Sequence, residues 1–256
     1  MRLPLLDSLQ DQFAIWKHGM ASRVEQGLGT GFAALDAALP GNGWPQAALT
    51  ELLPERAGIG EWSLLLPALS MLSAEKGVVL IGAPYLPYAP ALADTGIDLA
   101  RLLIVPPCRL RDALACGELA LRSGACGAVV LWESGLTETS AQGIAPLALR
   151  RLNLAADRGK TMAVLFRAPQ QAAQPSPAPL RIALRAHAGS LNLRVFKRRG
   201  LFGETQLTLN PYPARLREEL SCSPLPRPEP VSARPHAVPA ARFLSSPKHS
   251  INTLAD

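Results

Sequence analysis

The order of apolar and polar residues changes character twice along this chain. Between Ala48 and Phe166, compact apolar runs alternate with stretches in which apolar residues recur every three or four positions. The runs predict strands at Ala48–Leu53, Val78–Ala83, Leu102–Val105, Ala128–Trp132 and Met162–Phe166. The intervening stretches predict helices over residues 60–76, 87–96, 109–123 and 139–158, closed by Gly77, Gly96, Gly124 and Gly159. Val78-Val79-Leu80-Ile81 and Val129-Val130-Leu131 have no polar alternation, as expected of strands buried on both faces. Strands alternating with helices imply right-handed crossovers and a mostly parallel sheet flanked by helices, the α/β class.

Upstream, Leu5, Leu6, Leu9, Phe13 and Trp16 are spaced for an amphipathic helix over residues 5–17. A short helix over 31–39 and a dense turn, Pro40-Gly41-Asn42-Gly43-Trp44-Pro45, precede the first strand. Downstream of Ala168 the pattern changes. Residues 169–179 are rich in Gln, Ala, Pro and Ser and read as a mobile loop. Leu180–Leu184 and Leu191–Phe196 alternate apolar with polar around a turn at Gly189, and Thr205–Leu209 adds a third strand. This is a C-terminal β-hairpin extending the edge of the sheet. From Asn210 onward proline dominates. Residues 213–220 have room for one or two helical turns, and the rest reads as disordered. The expected organisation is an N-terminal helix and linker over 1–29, one α/β domain over 30–212, and a Pro/Ser/Arg-rich tail over 213–256.

Composition narrows the class. Hydrophobic residues make up 48% of the 256, ample for one sizeable core. No stretch reaches the ~18 apolar residues that cross a bilayer. Met1-Arg2-Leu3-Pro4 is followed by Asp7, Gln10, Asp11 and Gln12, which is no signal peptide. The chain therefore reads as cytoplasmic, with no membrane partner. Cys108, Cys116, Cys126 and Cys222 form no CxxC pair, and His18, His187, His236 and His249 are not at metal-ligand spacing. The cysteines read as small buried residues in a reducing compartment, and no metal or cofactor is expected.

A strand, a glycine-containing turn and a helix opening near residue 60 are the parts of a phosphate loop. Such a loop cradles phosphates on backbone N–H groups and needs a Lys for the β/γ-phosphates and a Ser or Thr for magnesium. The segment here runs Pro54-Glu55-Arg56-Ala57-Gly58-Ile59-Gly60-Glu61-Trp62-Ser63. Ile59 or Glu61 stands where the Lys belongs, and Glu61 would repel a triphosphate. Gly58, Ile59, Gly60 and Glu61 thus form a degenerate loop that binds no nucleotide. At the end of a later strand, Glu133 is the single acid available to magnesium, beside a bulky Trp132, and reads as a capping or surface residue. No nucleophile, base or carboxylate pair forms a catalytic set. The chain is expected not to be an enzyme.

The net charge is +6, and the positive residues are unevenly placed. Between Arg150 and Arg199 there are eleven Lys or Arg and one acid, Asp157. Clustered cations suit a DNA backbone or an acidic protein surface, and a basic surface without a partner is the third reading. The densest group is Arg194, Lys197, Arg198 and Arg199. Alternation on a strand pairs Lys197 with Arg199 and Arg194 with Arg198. Gly200 is expected to break that regularity and bring all four to one solvent-facing rim, a DNA- or partner-binding site.

Thr30-Gly31, Leu35-Asp36, Leu39, Gly43, Pro45 and Glu51 resemble the approach to the phosphate loop in RecA-like proteins. In Leu80-Ile81-Gly82-Ala83-Pro84, Pro84 stands where recombinases of that kind carry a catalytic Glu, and Arg194–Arg198 resembles their late basic strand. The runs Leu39–Pro45, Ala48–Leu53 and Gly58–Glu61, with Trp16-Lys17 and Lys197–Gly200, resemble the ImuA family over residues 5–210. The SulA family shares roughly residues 50–168 but not the Thr30–Pro45 region. Resemblance to ImuA implies a non-enzymatic accessory protein of SOS-induced error-prone translesion DNA synthesis. Its implied partners are an ImuB-like polymerase subunit, a DnaE-type polymerase and RecA, with DNA a further candidate. The alternatives are a SulA-like division inhibitor acting on FtsZ and a residual DNA-dependent ATPase.

Overall fold

In a computed structural model, the structure describes residues 26–139, 143–187, 189–200 and 203–212. The expected helix over 5–17 and the tail beyond Tyr212 lie outside them.

Among the described residues, eight strands form one sheet: β1 (Leu49–Pro54), β2 (Gly77–Ile81), β3 (Leu102–Val105), β4 (Cys126–Trp132), β5 (Met162–Phe166), β6 (Leu180–His187), β7 (Ser190–Arg198) and β8 (Thr205–Leu209). Their spatial order is β3-β2-β4-β5-β1-β6-β7-β8. The first six pair in parallel, and β7 and β8 add antiparallel. The extension expected as an edge hairpin is therefore joined to the parallel sheet through β6, which lies beside β1.

Among the described residues, five α-helices accompany the sheet: α1 (Ala33–Ala38), α2 (Leu66–Ser73), α3 (Ala89–Asp94), α4 (Leu110–Arg122) and α5 (Pro146–Gly159). Two expected helices differ. The stretch 60–76 splits into a 3-10 turn, Glu61–Leu64, and α2. Pro67 explains the division, because its fixed φ suits the first turn of a helix and not an interior. The helix expected from Thr139 begins at Pro146 instead. The residue before a proline is held extended, as Ala145 is, with ψ 143°. The chain before it forms a 3-10 turn at Glu133–Gly135 and a bridge from Thr137 to Arg109.

The sheet has two unequal apolar faces. One is covered by α1 and α2 and runs from β2 (Val78, Leu80) through Val130, Val164 and Leu52 to Ile182, Leu193 and Leu209. The other is covered by α4 and α5 and takes Val79, Ile81, Leu131, Leu165 and Leu49, but no residue of β6 or β7. Beyond Leu49, β1 and β6 lack a covering helix on that face, and the segment after β5 fills the gap. It is not the mobile loop expected from its composition. Pro169–Ala173 is a 3-10 turn, Gln171 is buried and Ala178 is fully buried.

The loops after β2 and β4 touch backbone to backbone at Gly82 and Gly135. A Cβ on Gly135 would collide with the Gly82 carbonyl. Gly135→Ala should therefore cost about 1–3 kcal/mol through forced backbone shifts, read by urea unfolding. Gly29→Ala, with open space at its Cβ, should change stability by less than about 0.5 kcal/mol.

Candidate functional site

The loop after β1 turns on two glycines in the left-handed region, Gly58 (φ +80°) and Gly60 (φ +93°). Glycine adopts that region without the Cβ penalty other residues meet. The turn aims the N–H groups of Gly58 and Ile59 at one point, and the Glu61 carboxylate fills it. One carboxylate oxygen accepts from Gly58 N at 3.0 Å and the other from Ile59 N at 2.9 Å. Glu61 is buried there. Paired backbone N–H groups at such a turn are the element that holds a phosphate in anion-binding loops. Here they hold the chain's own acid. Tyr212 lies across the same loop, donating its hydroxyl to Ile59 O at 3.2 Å and packing on Gly60.

Beside this loop, at the C-terminal ends of β1, β4 and β5, is a cleft of ≈ 320 Å³. Chain reversals in an open α/β sheet place ligand crevices at such strand ends. Pro54, Ala57, Trp132, Phe166 and Pro169 form apolar walls, and Glu55 and Arg56 stand at the rim. Trp132 stacks on Phe166 with ring centroids 5.1 Å apart, and Trp62 tilts against Trp132 at 5.3 Å. The floor is made by Glu133, Arg167 and Gln171.

That floor belongs to a buried ionic network which the sequence did not reveal. Glu51, in the middle of β1, is fully buried. One of its oxygens accepts from Arg167 at 3.3 Å and from Ser176 at 2.5 Å, and the other accepts from Arg181 at 2.7 Å. Arg167 also donates to Glu133 at 3.3 Å and to Gln171 at 3.2 Å. Glu133 accepts the Ile144 N–H at 2.7 Å. The surface role expected for Glu133 is thus corrected. Its carboxylate is buried, ties down the loop before α5 and is neutralised by Arg167. Arg181 donates to the carbonyls of Gln171, Ala172 and Gln174 and lies over the Phe196 ring at 5.0 Å. Two carboxylates thus meet two guanidinium groups with no charge left over.

The four cations expected on one rim do not gather there. A bulge puts Lys197 opposite Arg181 but Val195 opposite Ile182, so alternation breaks before Gly200 and not at it. Arg194 pairs with Glu204 at 3.1 Å and lies over Phe196. Lys197 turns toward the network and donates to Ser176 O at 2.6 Å. Burial pushes its ammonium below the usual lysine range, Arg181 adds to that shift and Glu51 opposes it. Arg198 goes to the opposite face, donating to Ala38 O at the end of α1 at 2.7 Å. Arg199 is exposed. The loop of Gly58, Ile59, Gly60 and Glu61 lies at the end of β1, separated from β7 by β6.

Other basic residues of the Arg150–Arg199 run are also engaged. Arg151 pairs with Glu118 across α4 and α5 at 2.6 Å, and Lys160 pairs with Asp157 at 2.8 Å. Cys108, Cys116 and Cys126 are free thiols, and Cys222 lies outside the described residues. Burial raises the Cys116 thiol, with Cys108 and Cys126 adding to the shift, so it is a poor nucleophile at neutral pH. Among the described residues, no group of three His, Cys, Asp or Glu is placed to hold a metal ion. No helix among them is long and apolar enough to cross a membrane.

These features define a mostly parallel α/β domain whose loop after β1 is closed by its own carboxylate. Protein RecA of Chlorobium chlorochromatii (strain CaD3) is 33% identical over 133 residues, covering 49% of this chain. The chain spans 37% of that relative's length. Among solved structures, SulA from Pseudomonas aeruginosa is 27% identical over 46% of this chain and 97% of its own, with a TM-score of 0.36. No protein-family model matches the chain.

The network gives a direct test. Glu51→Gln leaves Arg181 and Arg167 buried with one carboxylate between them. Breaking a buried ion pair from one side costs about 3–5 kcal/mol, to be read by urea denaturation. Glu55→Gln, at an exposed neighbour, should stay within about 0.5 kcal/mol of the parent.

Proposed function

We propose that this chain is a non-hydrolysing accessory protein of SOS-induced error-prone translesion DNA synthesis, acting with an ImuB-like polymerase subunit and a DnaE-type polymerase. One observation carries the non-enzymatic half: the Glu61 carboxylate sits on the Gly58 and Ile59 N–H groups, where a phosphate would have to bind. No Lys stands between Gly58 and Ser63 to meet a β/γ-phosphate. A triphosphate entering the loop would displace a buried carboxylate from two hydrogen bonds and face its charge.

The sequence relation to RecA supports the other half. A domain that keeps the recombinase sheet while its loop is closed can present a recombinase-like surface without turning over. That is the work of an adaptor. The resemblance of Leu39–Leu53 and Lys197–Gly200 to the ImuA family favours this pathway among those an adaptor could serve. RecA itself is a further partner under this reading.

Purified protein should show no ATP turnover above background, with or without single-stranded DNA. It should co-purify with the ImuB-like subunit. Deleting the gene should reduce damage-induced mutation frequency, and overexpression should leave cell length unchanged. Turnover that disappears on substitution within residues 54–63 would overturn the non-enzymatic half. Filamentation with unchanged mutagenesis would overturn the pathway and point to division control.

A further inference from the structure

We propose that the outer face of α4 and α5 is the docking site for an amphipathic helix of a protein partner, one that presents leucine-like anchors flanked by carboxylates. The proposal draws on no polymerase and stands apart from the adaptor reading.

α5 has two faces. Leu149, Leu152, Ala155 and Ala156 point into the core. On the other side Leu147 is 72% exposed and Leu154 45%. Seven residues make nearly two helical turns, so these leucines stand on one line about 10 Å apart. Arg150, Arg151 and Arg158 are exposed on the same stripe, at the three- and four-residue spacings that make helix neighbours. α4 lies alongside, tied to α5 by Arg151 and Glu118 at 2.6 Å. Its Leu119, the residue after Glu118, is 74% exposed. The axes of packed helices lie about 8–10 Å apart. Leucines therefore stand on both sides of the furrow that the Arg151–Glu118 pair spans.

A solvated leucine is ordinary by itself. What distinguishes this face is its charge. Each acid of the two helices already has a partner: Asp112 pairs with Arg111 at 3.3 Å, Glu118 with Arg151, and Asp157 with Lys160 at 2.8 Å. Among the described residues, Arg150 and Arg158 form no ion pair. They flank Leu154 with positive charge that the fold does not neutralise.

That pattern selects the occupant. A helix laid in a groove is held by anchors at i, i+3 or i+4, and i+7, a repeat that matches the spacing of Leu147 and Leu154. Carboxylates beside those anchors would meet Arg150 and Arg158. Nucleic acid fits less well, because a phosphate backbone has nothing to place on three leucines, and two unengaged cations release few counterions. A bilayer fits less well too. Membrane-surface helices submerge a continuous apolar face, and that face of α5 is spent on the core.

The probe is a fluorescein-labelled, stapled helical peptide with leucines at i, i+4 and i+7 and glutamates at the flanking positions. It should bind the full chain with a Kd on the order of 10 μM or tighter. Arg150→Glu with Arg158→Glu should weaken binding at least about tenfold, and should gain binding of the same peptide with lysines in place of its glutamates. Leu147→Ser with Leu154→Ser should weaken the glutamate peptide to a similar extent. All four side chains are exposed, so both double variants should melt within about 2 °C of the parent. Three results overturn the proposal: no binding of the glutamate peptide, binding that the double variants leave unchanged, or a charge-swapped variant that does not take the lysine peptide. Two others reassign the face. Dimerisation abolished by the same substitutions gives it to a second copy, and co-sedimentation with phosphatidylserine vesicles abolished by them gives it to a membrane.

Discussion

A carboxylate in the middle of a central strand is the constraint on which this fold turns. Glu51 sits between Thr50 and Leu52 on a strand buried throughout, with β5 on one side and β6 on the other. An isolated charge there would cost far more than a domain's net stability. It must be met in place. Arg181 meets it from the neighbouring position on β6 and Arg167 from just past the end of β5. This makes β6 an obligate part of the sheet, although in sequence it follows a Pro- and Gln-rich segment. That segment is itself held because Arg181 supplies donors for three of its carbonyls. A loop can cover a sheet face only if its backbone polar groups find partners, and here one guanidinium provides three of them.

Such a network is not simply a source of stability. Replacing a buried ion pair by well-packed apolar residues is often neutral or favourable by about 1–4 kcal/mol, whereas removing one partner is strongly unfavourable. What the network supplies is position. Glu133 and Arg167 form the cleft floor, and Glu133 also holds the Ile144 N–H, fixing the approach to α5. The cleft at the top of the sheet and the covering of its second face are therefore set by the same four charges.

The parallel sheet was legible because its strands are apolar on both faces. Val78–Ile81, Leu102–Val105 and Met162–Phe166 could be nothing else, and β8 was read from alternation alone. The helix starts were less legible. Pro67 and Pro146 set them, yet an apolar repeat runs through both positions and hides the proline. The network was illegible for a different reason. Arg167 and Arg181 lie in a run of cations that looks like surface. Their partners Glu51 and Glu133 are far away in sequence, so the pairing exists only once β1, β5 and β6 are neighbours. The signal available beforehand was Glu51 itself, a charge amid Leu49, Leu52 and Leu53 that had to be answered somewhere. The Glu61 contact was half visible: the missing Lys could be read, but not the carboxylate turning back onto its own loop.

The same geometry changes what the basic run can mean. Eleven cations facing one acid along the sequence suggested a continuous binding surface. In the folded chain Arg167 and Arg181 neutralise buried carboxylates, while Arg151, Lys160 and Arg194 pair with Glu118, Asp157 and Glu204. Lys197 and Arg198 are turned to backbone carbonyls on opposite faces of β7. The exposed remainder includes Arg150 and Arg158 on α5 and Arg185 and Arg199 on the hairpin, which are separate elements. Counterion release scales with the number of cations that reach phosphates together, so positive charge already engaged within the fold adds little to it. Sequence-local charge density thus overstates the case for DNA.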